Sequence, residues 1–130
     1  MPFNFDEFVT LADELAGRPD EASKRSSISR AYYGVFHRAF PRAEANVGPY
    51  RNRGDRNLPT HVWCWRQYLD TNDSNCKQIG VNGDRMKKRR QTADYERNIA
   101  NLQAEVQRQI ADAHQFLSDI DALDPQYPHP

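Results

Sequence analysis

With 130 residues the chain has room for one hydrophobic core and not two. An apolar fraction of 38%, a charged fraction of 28% and a mean hydropathy of −0.95 make that core thin, so added burial by self-association, a homo-oligomer, is expected. Eighteen basic and eighteen acidic residues cancel, which excludes the globally basic signature of many nucleic-acid binders and leaves the matter to local clusters.

The opening MPFNFDEF is acidic and amphipathic, and no stretch approaches the roughly eighteen apolar residues of a membrane span. Neither a leader nor a membrane segment is expected, and the expected location is cytoplasmic. Phe5, Phe8, Leu11, Ala12 and Leu15 recur at helical spacing, with Asn4 as the cap, Asp6 and Glu7 in the first turn and Gly17 at the end, which predicts a first helix. Pro19, Asp20 and Glu21 suit the first turn of a second helix, which Pro41 is expected to stop. Its predicted core stripe is Ile28, Tyr32, Val35 and Ala39.

Residues 41–59 are rich in proline, glycine and arginine with little apolar periodicity, and read as a long irregular loop. Thr60 can cap a third helix on which Val62, Trp65 and Leu69 recur. Residues 70–83 read as a second polar connection. A short helix over about 84–92 carries RMKKRR, and a long one over about 95–123 carries the stripe Ile99, Leu102, Val106, Ile110, Ala113, Phe116, Leu117 and Ile120. No strand-type alternation or repeat is present. The expected fold is all-α, a bundle of four to five helices over residues 1–123 with a short tail, 124–130.

Cys64 and Cys76 match no paired metal or redox spacing. Two buried free thiols are the ordinary reading, a zinc site from His61, Cys64 and Cys76 the alternative, and the expectation is no metal and no cofactor.

On the second helix, seven residues advance the chain by about 700°, within about 20° of two turns, so Arg30 and His37 share a face about 10 Å apart along the axis. Tyr33 lies between them and Ser26 one turn before, giving a polar stripe beside the apolar one. Imidazole and guanidinium are the groups needed to break an RNA phosphodiester without a metal, because the 2′-hydroxyl supplies the nucleophile. His37 would be the general base or acid, Arg30 would stabilise the developing charge, and Tyr33 could orient the phosphate or stack on a base. The plain alternative is a solvated face, or an arginine and a histidine tied to carboxylates.

The string SRAYYGVFHRA resembles the second-helix signature of HEPN domains, small helical proteins of prokaryotic toxin–antitoxin and defence loci. Arg30 and His37, with six residues between them, match the family's Arg-x(4 to 6)-His motif at its longest spacing. His61 in LPTHVW resembles the Thr-His that opens the third helix in one branch, and RQTADY, residues 90–95, resembles a segment before the family's last helix. The resemblance spans about residues 5–120. It implies a helical bundle that dimerises through the motif face and, in active members, a metal-independent endoribonuclease with Arg30 and His37 catalytic. It also implies an antitoxin or nucleotidyltransferase partner. Ala31 stands where active toxins usually carry a polar residue, and Ala39 where the adenylylated branch carries tyrosine. The alternative function is a non-catalytic HEPN module that binds RNA, a nucleotide or a partner protein.

Arg42, Arg51, Arg53 and Arg56 in the loop, and Arg85, Lys87, Lys88, Arg89 and Arg90 on the fourth helix, suggest an electropositive rim for an RNA backbone. Tyr50, Trp63 and Tyr68 could stack bases. The alternatives are a solvated charge run and core packing for the tryptophans.

Overall fold

A computed structural model describes residues 2–51 and 58–130. Five helices follow in order: α1 (Glu7–Ala16), α2 (Glu21–Val47), α3 (Thr60–Leu69), α4 (Ser74–Tyr95) and α5 (Leu102–Ala122), with no strand among the described residues. The expected all-helical bundle is present. The long helix α2 is its centre, packing against each of the other four.

Local chemistry starts α2 and α4 alike. Asp20 accepts a hydrogen bond from Ser23 N at 2.9 Å, and Asp73 from Cys76 N at 2.9 Å, satisfying backbone donors that have no carbonyl within the helix. At the start of α1, Asn4 Oδ1 accepts from Asp6 N, so Asn4 acts two residues early and Asp6 holds the cap position. Thr60 is the first residue of α3, and Pro59 stands at its cap.

Pro41 does not stop α2, which runs to Val47. Proline removes one backbone bond and crowds the carbonyl four residues back, a cost of about 3 kcal/mol. Pro41 is exposed, while the turns after it are docked: Ala43 is fully buried. Arg42 donates to the carbonyls of Tyr127, Ile120, Leu123 and Asp124 at 2.8–3.1 Å, and Asn46 donates to Pro125 O. The terminal residues 124–130 therefore fold back along α2, and Pro128 is buried. Arg42 is a helical residue with a structural task, not part of a loop rim.

Most of the predicted connection 70–83 is also helix. Only residues 70–73 join α3 to α4, whose buried residues are Cys76, Ile79, Gly80, Asn82, Gly83, Met86, Arg90 and Ala93. A Cβ at Gly83 would lie 2.3 Å from the Trp65 ring, so this glycine lets α3 and α4 approach closely. The break before α5 falls at residues 96–101, where Arg25 caps α4 by donating to Ala93 O at 3.1 Å, Glu96 O and Arg97 O at 2.9 Å.

The stripe predicted for α2 is core, and so is half of that predicted for α5; Leu102, Ile110 and Leu117 are only partly buried, and Ile99 lies before the helix starts. Ile28, Tyr32, Val35, Ala39, Val106, Ala113, Phe116 and Ile120 are all buried. In α1 the buried set is Val9, Ala12 and Leu15, whereas Phe5 and Leu11 are exposed and Phe8 is half-buried. A Cβ at Gly34 would sit 2.5 Å from Val9 Cγ2, so α1 crosses α2 at its glycine with Val9 inward, and the phenylalanines are turned out.

Candidate functional site

Arg30, Tyr33 and His37 lie on one face of α2, each partly exposed, beside α1. The Arg30 guanidinium stands 5.2 Å from the Phe8 ring centre and 5.3 Å from that of Tyr33. No carboxylate lies within ion-pair reach of it among the described residues; aromatic faces, which attract cations, hold it instead. His37 stacks on Phe5, ring centres 3.9 Å apart and planes 20° apart. Burial holds its pKa below the usual histidine value, so the ring is neutral at pH 7 and able to accept a proton. Its nitrogens make no hydrogen bond among the described residues.

Phe5 belongs to a cluster with Phe3 and Phe8, ring centres 5.0–5.8 Å apart, and Phe3 is 51% exposed. The open apolar face of α1 thus borders the cationic face of α2.

Under Tyr33 lies a second layer. Tyr32 is fully buried, its hydroxyl 2.6 Å from His61 Nδ1 and 3.0 Å from Trp65 Nε1. His61 stacks on Phe36 with ring centres 4.1 Å apart. Burial, followed by the charges of Arg90, Lys87 and His37, pulls its pKa down to about 4. Arg90 is 92% removed from solvent by packing, with a residual exposure of 8%, and its guanidinium carbon stands 5.5 Å from the ring centres of both Tyr32 and Tyr33. Its nearest carboxylate is Asp94, at 3.6 Å.

Of the other predicted contacts, Ser26 and Arg51 are exposed. Lys87 and Lys88 both lean on Asp84, at 3.4 and 3.0 Å, but Lys88 is exposed and Lys87 largely covered. Arg53 and Arg56 lie outside the described residues. Arg85, though exposed, and the largely covered Arg89 both pair with Asp112, and Arg89 also with Glu105 and Gln109, so much of the basic run on α4 is neutralised within the fold. Trp63 and Tyr68 are core residues, Tyr68 donating to Ala39 O at 2.8 Å, and neither presents a face to a base. Tyr50 packs on Trp63 and Phe40 and donates to Leu58 O.

His61 does not join Cys64 and Cys76 in a metal site. Among the described residues no three His, Cys, Asp or Glu side chains gather to hold an ion, and burial raises the pKa of both thiols. A cavity of about 440 Å³ between α4 and α5, lined by Arg85, Lys88, Arg89 and Glu105 among others, contains none of Arg30, Tyr33 and His37, and its three cations are already ion-paired. No described helix is long and apolar enough to cross a membrane.

The spacing in the sequence carries the Arg30, Tyr33, His37 face. It does not carry Arg90. The signal for that residue is its place four after Met86 and three before Ala93, on the buried side of α4, legible once residues 74–95 are seen as one helix. Comparison with protein-family models, curated proteins and solved structures finds no match for the chain.

Proposed function

We propose that the chain is a HEPN-type endoribonuclease of the cytoplasm, working as a homodimer whose two Arg30–His37 pairs face one cleft. The observation that carries this reading is an arginine and a neutral histidine on one open helix face, neither bound to a carboxylate, bordered by exposed phenylalanines. In such a cleft one His37 takes the proton of the ribose 2′-hydroxyl, and the 2′-oxygen attacks phosphorus. The proton is then delivered to the departing 5′-oxygen, either by the imidazolium so formed or by the second His37 when it is protonated, leaving a 2′,3′-cyclic phosphate and a 5′-hydroxyl end. Arg30 stabilises the charge on the phosphorane oxygens. Tyr33, with Ser26, Arg51, Arg53, Arg56, Lys87 and Lys88, would contact the substrate, and an antitoxin would be the natural partner.

Two observations favour a second reading, a non-catalytic HEPN module that recognises RNA, a nucleotide or a partner with the same face. Ala31 is completely buried, so the position after Arg30 adds no polar group to the cleft. His37 is held by stacking and, among the described residues, lacks the orienting hydrogen bond usual for a general base.

The test is cleavage of total RNA and tRNA by purified protein in EDTA, with Arg30→Ala and His37→Ala variants of matched fold. Expected is cleavage by wild type, lowered at least about a hundredfold in both variants. RNA left intact by wild type but bound tightly would move the face from catalysis to recognition.

A further inference from the structure

The proposed chemistry uses Arg30, Tyr33 and His37, counts Lys87 only among the substrate contacts, and leaves His61 and Arg90 without a task. Hydrogen-bond logic fixes the state of His61. Trp65 Nε1 can only donate, so at 3.0 Å it donates to the Tyr32 hydroxyl oxygen. The Tyr32 hydroxyl has one proton of its own, is fully buried, and has His61 Nδ1 at 2.6 Å as its acceptor. A buried phenol proton without an acceptor costs about 1–3 kcal/mol, so Tyr32 donates to Nδ1. A neutral imidazole that accepts at Nδ1 carries its hydrogen on Nε2.

The surroundings keep it there. Burial and the positive charges of Arg90 and Lys87 oppose a second proton, so His61 is an uncharged, oriented N–H donor in a positive field at neutral pH. It sits edge-on to Tyr33, ring centres 6.1 Å apart. Arg90 also lies against the Tyr33 ring, as Arg30 does, so this cluster and the α2 stripe share that ring. Arg90 is only partly neutralised: Asp94 is 3.6 Å away, and its Nε has no hydrogen-bond partner among the described residues. Lys87 meets Asp84 at 3.4 Å and is mostly covered. Cations with long ion pairs beside a fixed neutral donor suit one ligand class, an oxyanion that is bound and not exchanged for protons.

We infer that His61 Nε2–H, Arg90 and Lys87 form a subsite for a phosphoryl oxyanion, adjoining the Arg30–Tyr33–His37 face. The assignment of RNA as its source rests on the function proposed above; a free phosphate would satisfy the same chemistry. His61 is here a binding group, and proton transfer stays with His37.

The experiment is nitrogen-15 NMR of the imidazoles in the intact chain, titrated with inorganic phosphate and, separately, with a short RNA fully 2′-O-methylated so that it cannot be cut. Expected is a His61 that stays neutral with its hydrogen on Nε2 from about pH 6 to 8, and whose Nε2 resonance moves on addition of either probe. His61→Gln, which keeps an N–H donor near the Nε2 position, retains binding; His61→Ala and Arg90→Leu each weaken it about tenfold or more. A hydrogen found on Nδ1, or a Nε2 resonance that neither probe moves, overturns the subsite. Movement with phosphate alone upholds the oxyanion subsite and removes RNA as its source. Cleavage of RNA that depends on Arg30 and His37 while Nε2 stays still would sink the subsite and keep the ribonuclease. Movement of Nε2 by both probes with natural RNA uncut would do the reverse.

Discussion

Two histidines on neighbouring helices illustrate how burial assigns roles. His37, stacked on Phe5 at the surface, makes no hydrogen bond among the described residues, and burial lowers its pKa from the usual histidine value. His61, wedged against Phe36 and tied to Tyr32, is driven to about 4. A histidine whose pKa falls on folding binds its proton more readily when unfolded. Its contribution to stability is therefore full above about pH 6.5 and drains away as the pH falls toward about 4. The amount is on the order of 2 kcal/mol once access of solvent to the half-buried ring is allowed for. Urea unfolding at pH 7 and pH 4.5 checks this: wild type is expected to lose more stability than His61→Gln over that interval. Equal losses would mean that His61 titrates normally.

Among the helices, the end of α2 shows a tertiary interaction overruling a local rule. Arg42 spans four carbonyls at the C-terminus of α5 and in the tail, where backbone acceptors lack helical partners and the helix dipole favours a cation. Arg42→Ala is expected to destabilise the fold by about 2–4 kcal/mol, and Arg42→Lys to recover little, because a single ammonium cannot reproduce the planar fork. Thermal unfolding that barely distinguishes either variant from wild type would show that Pro41 is tolerated for another reason. In α4, Gly83→Ala should cost about 1–3 kcal/mol through collision with Trp65, despite the better helix propensity of alanine. Gly17→Ala, whose added carbon meets only ordinary contacts, should be near neutral by the same denaturation measurement.

These elements also explain what the sequence makes legible. Large apolar residues at helical spacing announce α2 and α5, and the seven-residue interval announces the Arg30–His37 face. The buried side of α4 is built from Cys76, Gly80, Gly83 and Arg90 among larger residues, and glycine and arginine read as punctuation and surface. In α1 the phenylalanines outrank Val9 in hydrophobicity, yet the crossing at Gly34 decides which side faces inward. The Trp65–Tyr32–His61 chain joins side chains of α2 and α3, a juxtaposition that only packing supplies.

At the scale of the whole molecule, the exposed Phe3, Phe5 and Leu11 are a cost for an isolated chain and an asset for a paired one. They border the cationic face, so a two-fold axis through this region would bury the phenylalanines and bring both Arg30–His37 pairs together. The proposed dimer then makes a prediction that separate sites cannot meet. In an equilibrated mixture of Arg30→Ala and His37→Ala chains, each inactive alone, roughly half of the dimers are mixed, and each mixed cleft holds one arginine and one histidine. Part of the RNA cleavage should return on mixing, and Phe5→Glu in both chains should abolish that return by separating the subunits, as sedimentation would record. If mixing restores nothing while both variants still dimerise, an arginine and a histidine from different chains do not complete a working cleft, and this form of the composite site is overturned.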